Sequence, residues 1–476
     1  MNNRTLFFSL SLFGLVAGTL FLGGCRLFQS SSTQDYNQYQ AALAVGDLKS
    51  AQIALLRLVH EEEDVGDYWT QLGKIDLQLG EYSSAYDAFS RAYELDRSNV
   101  QLLSALTQMA LLSGQLPLAD EQARTLALLA PDSPVVKLVR GYVALGAGNL
   151  DQADAQAGEV LSASPTDPLG NILKARIFVA RQQVDDATKL LESQHQAEPQ
   201  DRTAIRGLST IYRYRNDWRN LARIQSDLLK LDPKNANVSL TLIEASLRAG
   251  DLDSAIQATG PLLADDANAE LLDRALTTWA RYAPRGSVLP NAAEIAGRSS
   301  GNKRVSWANY MNYVGKPGVA TELLKQAQLP VTAQNARWNA VLAQSWALQD
   351  QAQQAQSLFN AILRHEPDQL DALRGRSALE ARSGMTKQAI VDAQRAVSIT
   401  PNTGEDRLLL ARAYFAAGNR PAVRRTLWDA FQDIPDDERV IASLKSVLVS
   451  TGDLDGANRL VGEAADEQSK KLKELV

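Results

Sequence analysis

The chain has 476 residues, too many for one ordinary globular core unless that core grows along an axis. Aromatic residues make up 6% and hydrophobic residues 45%, a mix that suits close-packed helices better than sheets. The formal net charge of −6 argues against nucleic acid as a partner and is too mild for a disordered chain.

In chain order, residues 1–25 come first. Asn2, Asn3 and Arg4 precede an uncharged run from Thr5 to Leu22, mostly apolar from Leu6 on. A short positive start followed by an apolar run has the form of a secretory signal. Cys25 is the single cysteine, so no intramolecular disulfide forms. The run ends Leu22-Gly23-Gly24-Cys25, which resembles the bacterial lipobox. That resemblance implies cleavage before Cys25 and acylation of it, with several acyl chains anchoring the mature chain stably. An uncleaved membrane anchor is the alternative, and in both cases the rest of the chain lies outside the cytoplasm. Arg26 follows the cysteine where an Asp would favour inner-membrane retention, so by resemblance the expected location is the outer membrane, facing the periplasm. Residues 26–34 are Ser-rich and are expected to form a flexible tether.

From there a single period governs the chain. Pro131, Pro165, Pro199 and Pro233 are spaced by 34 residues, and Pro367, Pro401 and Pro435 repeat the step. Gly46, Gly80, Gly114 and Gly148 keep the same spacing, as do Gly384, Gly418 and Gly452. Small residues mark a third phase at Ala51, Ala85, Ala119, Ala153 and Ala187, and later at Ala255, Ala355, Ala389 and Ala457. Within residues 66–99, Trp69, Leu72, Gly73 and Leu77 form one helical stripe, Gly80 ends that helix, and Ala85, Phe89 and Ala92 form the stripe of a second. Small Ala85 admits a close approach and Phe89 fills the gap beside it. Prolines end other units because they cannot continue a helix, although this one has Arg97 at that place.

This helix-turn-helix unit resembles the tetratricopeptide repeat, whose signature positions Trp69, Leu72, Gly73, Ala85, Phe89 and Ala92 match. The resemblance covers about 440 residues, about 13 units of 34. It implies an all-α, right-handed α-solenoid whose concave groove is lined by the first helix of each unit and takes peptides or helices of other proteins. The expected organisation is a signal peptide (1–25), a tether (26–34), a regular N-terminal array (35–261), two degenerate repeats (262–335) and a regular C-terminal array with a capping helix (336–476). The middle stretch is singled out because Gly250 and Gly384 are 134 residues apart where four repeats need 136. It carries Trp279, Tyr282, Trp307, Tyr310 and Tyr313, and reads as drift, a hinge or a specialised binding face. The Glu/Lys-rich end after Gly462 reads as a polar cap.

Catalytic chemistry is not evident. His60, His195 and His365 are too far apart in sequence for a clustered metal site and read as solvated helix-end residues. There is no nucleophile elbow and no phosphate-binding loop. No enzyme activity, metal or cofactor is expected. Binding is expected on the groove, where positions 2, 5, 9 and 12 of the units yield Tyr142, Arg176, Arg206, Arg213, Arg412 and Phe415 as candidates. Arg202, Arg206, Arg213, Arg215, Arg219 and Arg223 are interleaved with Tyr212, Tyr214 and Trp218, the composition of protein-binding hot spots. Tyr214 joins the candidates on that ground, with an acidic peptide or an anionic polysaccharide as ligand; otherwise the arginines are solvated and the aromatics pack between repeats. The expected role is a lipid-anchored, periplasm-facing scaffold for other envelope proteins, in assembly of a pilus or exopolysaccharide machine. The alternatives are an activator of a cell-wall synthase or a direct binder of anionic polysaccharide.

Overall fold

The computed structural model describes residues 31–263, 268–284 and 287–475; Cys25, the signal segment and most of the tether lie outside them. Among the described residues there are 26 α-helices, one short 3-10 turn and no strand. The helices run α1 Ser31–Ala44, α2 Leu48–Glu61, α3 Gly66–Leu79, α4 Tyr82–Leu95, α5 Val100–Leu112, α6 Leu116–Leu129, α7 Pro134–Gly146, α8 Leu150–Ala163, α9 Pro168–Ala180, α10 Val184–Ala197, α11 Arg202–Tyr214, α12 Trp218–Leu231 and α13 Ala236–Ala249. They continue as α14 Leu252–Thr259, α15 Ala269–Tyr282, α16 Ala292–Arg298, α17 Gly301–Tyr313, α18 Pro317–Leu324, α19 Ala336–Leu348, α20 Ala352–His365, α21 Leu370–Arg382, α22 Thr386–Ile399, α23 Gly404–Ala416, α24 Arg420–Asp433, α25 Glu438–Ser450 and α26 Leu454–Leu475. Within each unit most odd helices pack against the even helix that follows and against the next odd helix or the even one before it, the arrangement of an α-solenoid. The chain divides into two compact units, one ending at Val139 and the other beginning at Arg140. None of the described helices is long and apolar enough to cross a membrane.

The period is written in the backbone. Turning from the first helix of a pair into the second requires one residue in the left-handed region, which glycine enters without a Cβ penalty. Gly46, Gly80, Gly114, Gly148, Gly250, Gly384, Gly418 and Gly452 adopt it, with φ between 72° and 79°. Gln182, Asn216 and Asp350 occupy the same place with φ of 62°, 53° and 60°. The lost register can be located from this series. Gly315, also left-handed, stands 65 residues after Gly250, three short of two units, and Asp350 stands 35 after Gly315, one too many. The second helices α14, α16 and α18 are correspondingly short, at 8, 7 and 8 residues.

Side-chain oxygens start many of the helices. Asp47, Asn99, Asp201, Asp217, Asn235 and Asp251 each accept a backbone N–H from the first turn that follows, satisfying a donor the helix leaves open. Within a pair and between successive pairs, a small residue faces a large ring. A Cβ on Gly73 would lie 2.9 Å from the ring of Phe89, and one on Gly375 would lie 2.5 Å from that of Phe359. Ala85 and Ala355, at the third marker phase, are fully buried.

Four expectations are corrected. The tether was expected to reach residue 34, but α1 begins at Ser31, because Asp35 and Tyr39 are already buried and Asp35 pairs with Arg57 on α2 at 3.3 Å. His60 and His365 are exposed as expected, but His195 is buried, its Nε2 3.3 Å from Asp227 Oδ2 on the facing helix α12. Of the aromatics in the irregular stretch, Trp279, Trp307 and Tyr310 are core rather than a binding face. Trp279 donates to Thr259 at 2.8 Å, and Tyr310 accepts the backbone N–H of Leu289 at 2.9 Å. Finally, α26 is more than a solvated cap: it packs on α9 and α11, and Leu472 is buried.

Candidate functional site

In the second unit several first helices touch beyond their immediate neighbours. Arg337 on α19 binds Asp273 on α15 at 2.7 Å and Asp371 on α21 at 3.3 Å. The Tyr313 hydroxyl at the end of α17 donates to Glu405 at the start of α23, 3.0 Å away. Arg248 at the end of α13 binds Glu438 at the start of α25, 190 residues on. Each of these ties joins first helices, so first helices of this unit meet one another beyond their immediate neighbours.

Arg248 is held by several groups at once. Its guanidinium carbon lies 4.0 Å from the ring centre of Trp218 and 4.4 Å from that of Tyr282, within cation–π range of both. Its Nη1 and Nη2 donate to the two carboxylate oxygens of Glu438 at 3.2 and 2.5 Å, a two-pronged pair that fixes direction as well as charge. Nε lies 3.5 Å from Glu244 Oε1, close enough for ion pairing but without hydrogen-bond geometry. Burial works against the charge of Arg248, but the bond to Glu438 and the nearby Tyr282 and Glu244 outweigh it, and the guanidinium pKa is raised.

Around Arg248 opens a cavity of about 650 Å³, within the range that ligand sites occupy. Arg213, Tyr214, Trp218, Glu244, Arg281 and Tyr282 line it, together with Asp436, Asp437, Glu438, Arg439, Gln468 and Leu472. Such a surface can hold an anionic group between guanidinium donors and grip an apolar neighbour against the rings.

The structure gathers only part of the expected site. Arg213 and Tyr214 are in the cavity wall. Tyr142 and Arg176 form a separate pair on α7 and α9, with the guanidinium carbon 5.2 Å from the ring centre. Burial pushes the Tyr142 phenol up to about 12 although Arg176 pulls it down. Arg206 is exposed on α11, and Arg412 and Phe415 are exposed on α23; none of the three lines the cavity. The arginine cluster also divides. Arg215 and Arg223 reach back to Asp185 and Glu192 on α10, and Tyr212 is buried and donates to Glu192. Arg248 and Glu438 were not among the candidates, and Tyr282 was named only with the aromatics of the irregular stretch, although a signal joined two of the three: Tyr214, Arg248 and Tyr282 stand 34 residues apart, at one position of three successive units. Glu438 had no such signal, because only folding brings it back. Among the described residues no group of three or more His, Cys, Asp or Glu side chains is placed to hold a metal ion.

A sequence family described as the N-terminal TPR repeats region of Psidin matches residues 137–263. None of the curated proteins compared with the chain matches it. Among solved structures, MamA (residues 41 to the end) from Desulfovibrio magneticus RS-1 is 16% identical over 36% of this chain and 96% of its own, with a TM-score of 0.28. A tetratricopeptide repeat protein from Parabacteroides merdae ATCC 43184 is 16% identical over 52% of this chain and 98% of its own, with a TM-score of 0.32. A chain of the APC/C hetero-tetramer Cut9-Hcn1 is 12% identical over 93% of this chain and 96% of its own, with a TM-score of 0.30. These superpositions are loose. The repeat assignment rests on the period, the helix pairing and the matched segment.

Proposed function

We propose that this α-solenoid of tetratricopeptide-type repeats is an interaction scaffold of the bacterial cell envelope, tethered through an acylated Cys25 to the outer membrane and presenting its repeats to the periplasm. Its partners are other envelope proteins, in the assembly of a pilus or exopolysaccharide machine. The observation that carries the interaction reading is the cavity beside Arg248, where arginines and aromatic rings converge from α11, α12, α13 and α15. Such pairings dominate binding energy at protein interfaces. The lipobox-like Leu22-Gly23-Gly24-Cys25 supports the anchor.

Site-specific photocrosslinking from position 214 in intact cells tests the scaffold role. Discrete adducts with envelope proteins are expected, and their absence at 214 and 213 alike overturns it. Cys25→Ala tests the anchor: the variant should leave the outer-membrane fraction, and unchanged fractionation refutes lipidation. Exposed Arg206, Arg213 and Arg219 favour the second reading, direct binding of anionic polysaccharide. Binding of alginate that is strong at low salt and lost at high salt distinguishes it.

A further inference from the structure

We propose that Glu438 is a resident occupant of the cavity and that an acidic segment of a partner protein takes its place on Arg248. This rests on the interaction reading above and specifies the ligand class. Three observations carry it. First, Arg248 has holds besides Glu438. Its guanidinium carbon lies 4.0 Å from the ring centre of Trp218 and 4.4 Å from that of Tyr282, and Glu244 lies beside Nε, so these contacts remain to position the side chain when Glu438 leaves. Second, the two partners are unequally committed. The Arg248 side chain is 12% exposed and that of Glu438 is 57% exposed. A carboxylate so open to water returns to solvent at little cost, whereas the arginine, already desolvated, keeps its preference for a carboxylate. Third, Glu438 is not the only group the space offers a ligand. Arg281, Tyr214 and Arg213, the last paired with Glu244 at 3.4 Å, also line the cavity, so an incoming segment can make contacts that Glu438 does not.

The occupant now present defines the chemistry of its competitor. Glu438 follows Ile434-Pro435-Asp436-Asp437, an acidic stretch with an apolar lead, and Ile434, Asp436 and Asp437 also line the cavity. Asp437 is otherwise engaged: it binds Arg439 and caps α25 by accepting the N–H groups of Arg439 and Val440. Glu438 can therefore be exchanged while Asp437 keeps the start of α25. A partner peptide with a carboxylate beside an apolar residue reproduces the resident contact.

The test uses the full chain and a fluorescent peptide with the sequence of residues 432–441. Wild type should bind it weakly. Glu438→Gln should bind about tenfold more tightly, because the internal competitor is gone, and Arg248→Met should bind at least about tenfold more weakly in either background. Equal affinity of Glu438→Gln and wild type overturns the proposal, as does peptide binding that survives Arg248→Met. Where circular dichroism shows Glu438→Gln has lost helix, Glu438→Asp serves instead: it keeps the charge but shortens the reach, and its affinity should fall between the two. A peptide-independent dimer that forms as Glu438 is released, with no gain in peptide affinity, also overturns it, since the cavity then belongs to a second copy. Crosslinks from position 214 that persist undiminished in Arg248→Met leave the scaffold reading standing and remove this one.

Discussion

Asp406 is wholly buried at the start of α23 and takes the guanidinium of Arg374, on α21, through two bonds of 2.7 Å each. Thr400 and Thr403 complete its shell by donating their hydroxyls to Oδ2. Burial disfavours the carboxylate, but Arg374 and the two threonines outweigh it and hold the pKa of Asp406 below the usual range. Asp406→Asn should cost about 3 kcal/mol, the low end for breaking a buried pair, because Arg374 keeps some access to water. A fall in the urea midpoint of the second unit checks this. The folded pKa is lowered, so the stabilisation is present in full above the unfolded value of about 3.9 and disappears as pH falls through the lower folded one. The gap between wild type and variant should close below that point.

Asp76, in the first unit, has the opposite sign. It is buried and its pKa is raised, chiefly by desolvation, although Gln52 donates to it at 2.6 Å. An Asn can accept the same bond without the charge. Asp76→Asn should leave stability at pH 7 unchanged or raise it by up to about 1 kcal/mol. With the folded pKa raised, wild type gains stability as pH falls through it, and the gain is complete below about 3.9. Thermal melts should show that gain in wild type and not in the variant.

Gln182 holds the left-handed turn position that glycine fills in nine other units. Gln182→Gly relieves about 1 kcal/mol of strain and gives back part of it in unfolded-chain entropy. A net rise of about 0.5 kcal/mol is expected in denaturant titration. A loss would show that the Gln side chain holds a contact worth more than the strain.

Gly375→Ala forces a Cβ to within 2.5 Å of the Phe359 ring and 2.8 Å of Gln344 Cγ. The overpacking should cost about 2 kcal/mol. Shortening the ring in Phe359→Leu/Gly375→Ala should recover part of it, so the two changes are expected to be less than additive in a double-mutant cycle.

The 34-residue step, the helix pairs and the glycine turns were legible because each unit buries its stripe only against its neighbours, which makes the physics local. Tyr214 and Arg213 were found for the same reason, from composition within one unit. Arg248 was overlooked because a single arginine at a helix end looks solvated until Trp218 and Tyr282 are seen to flank it. Glu438 was out of reach, since its place is set by the curvature accumulated over six units. His195 illustrates a smaller error: one facing acid, Asp227, was enough to settle a histidine in the interior.

The packing of α26 on α11 has a consequence for how such a chain can vary in length. In an array where each unit meets only the next, a unit can be dropped or duplicated and the ends simply move. Between α11 and α26 that freedom is gone, because the two ends of the span meet and bury Leu472, and Arg337 with Asp273 adds a second meeting inside it. The number of units there is counted by a closure condition. Homologous chains that keep the closure should therefore differ in length before α9, not between α11 and α26.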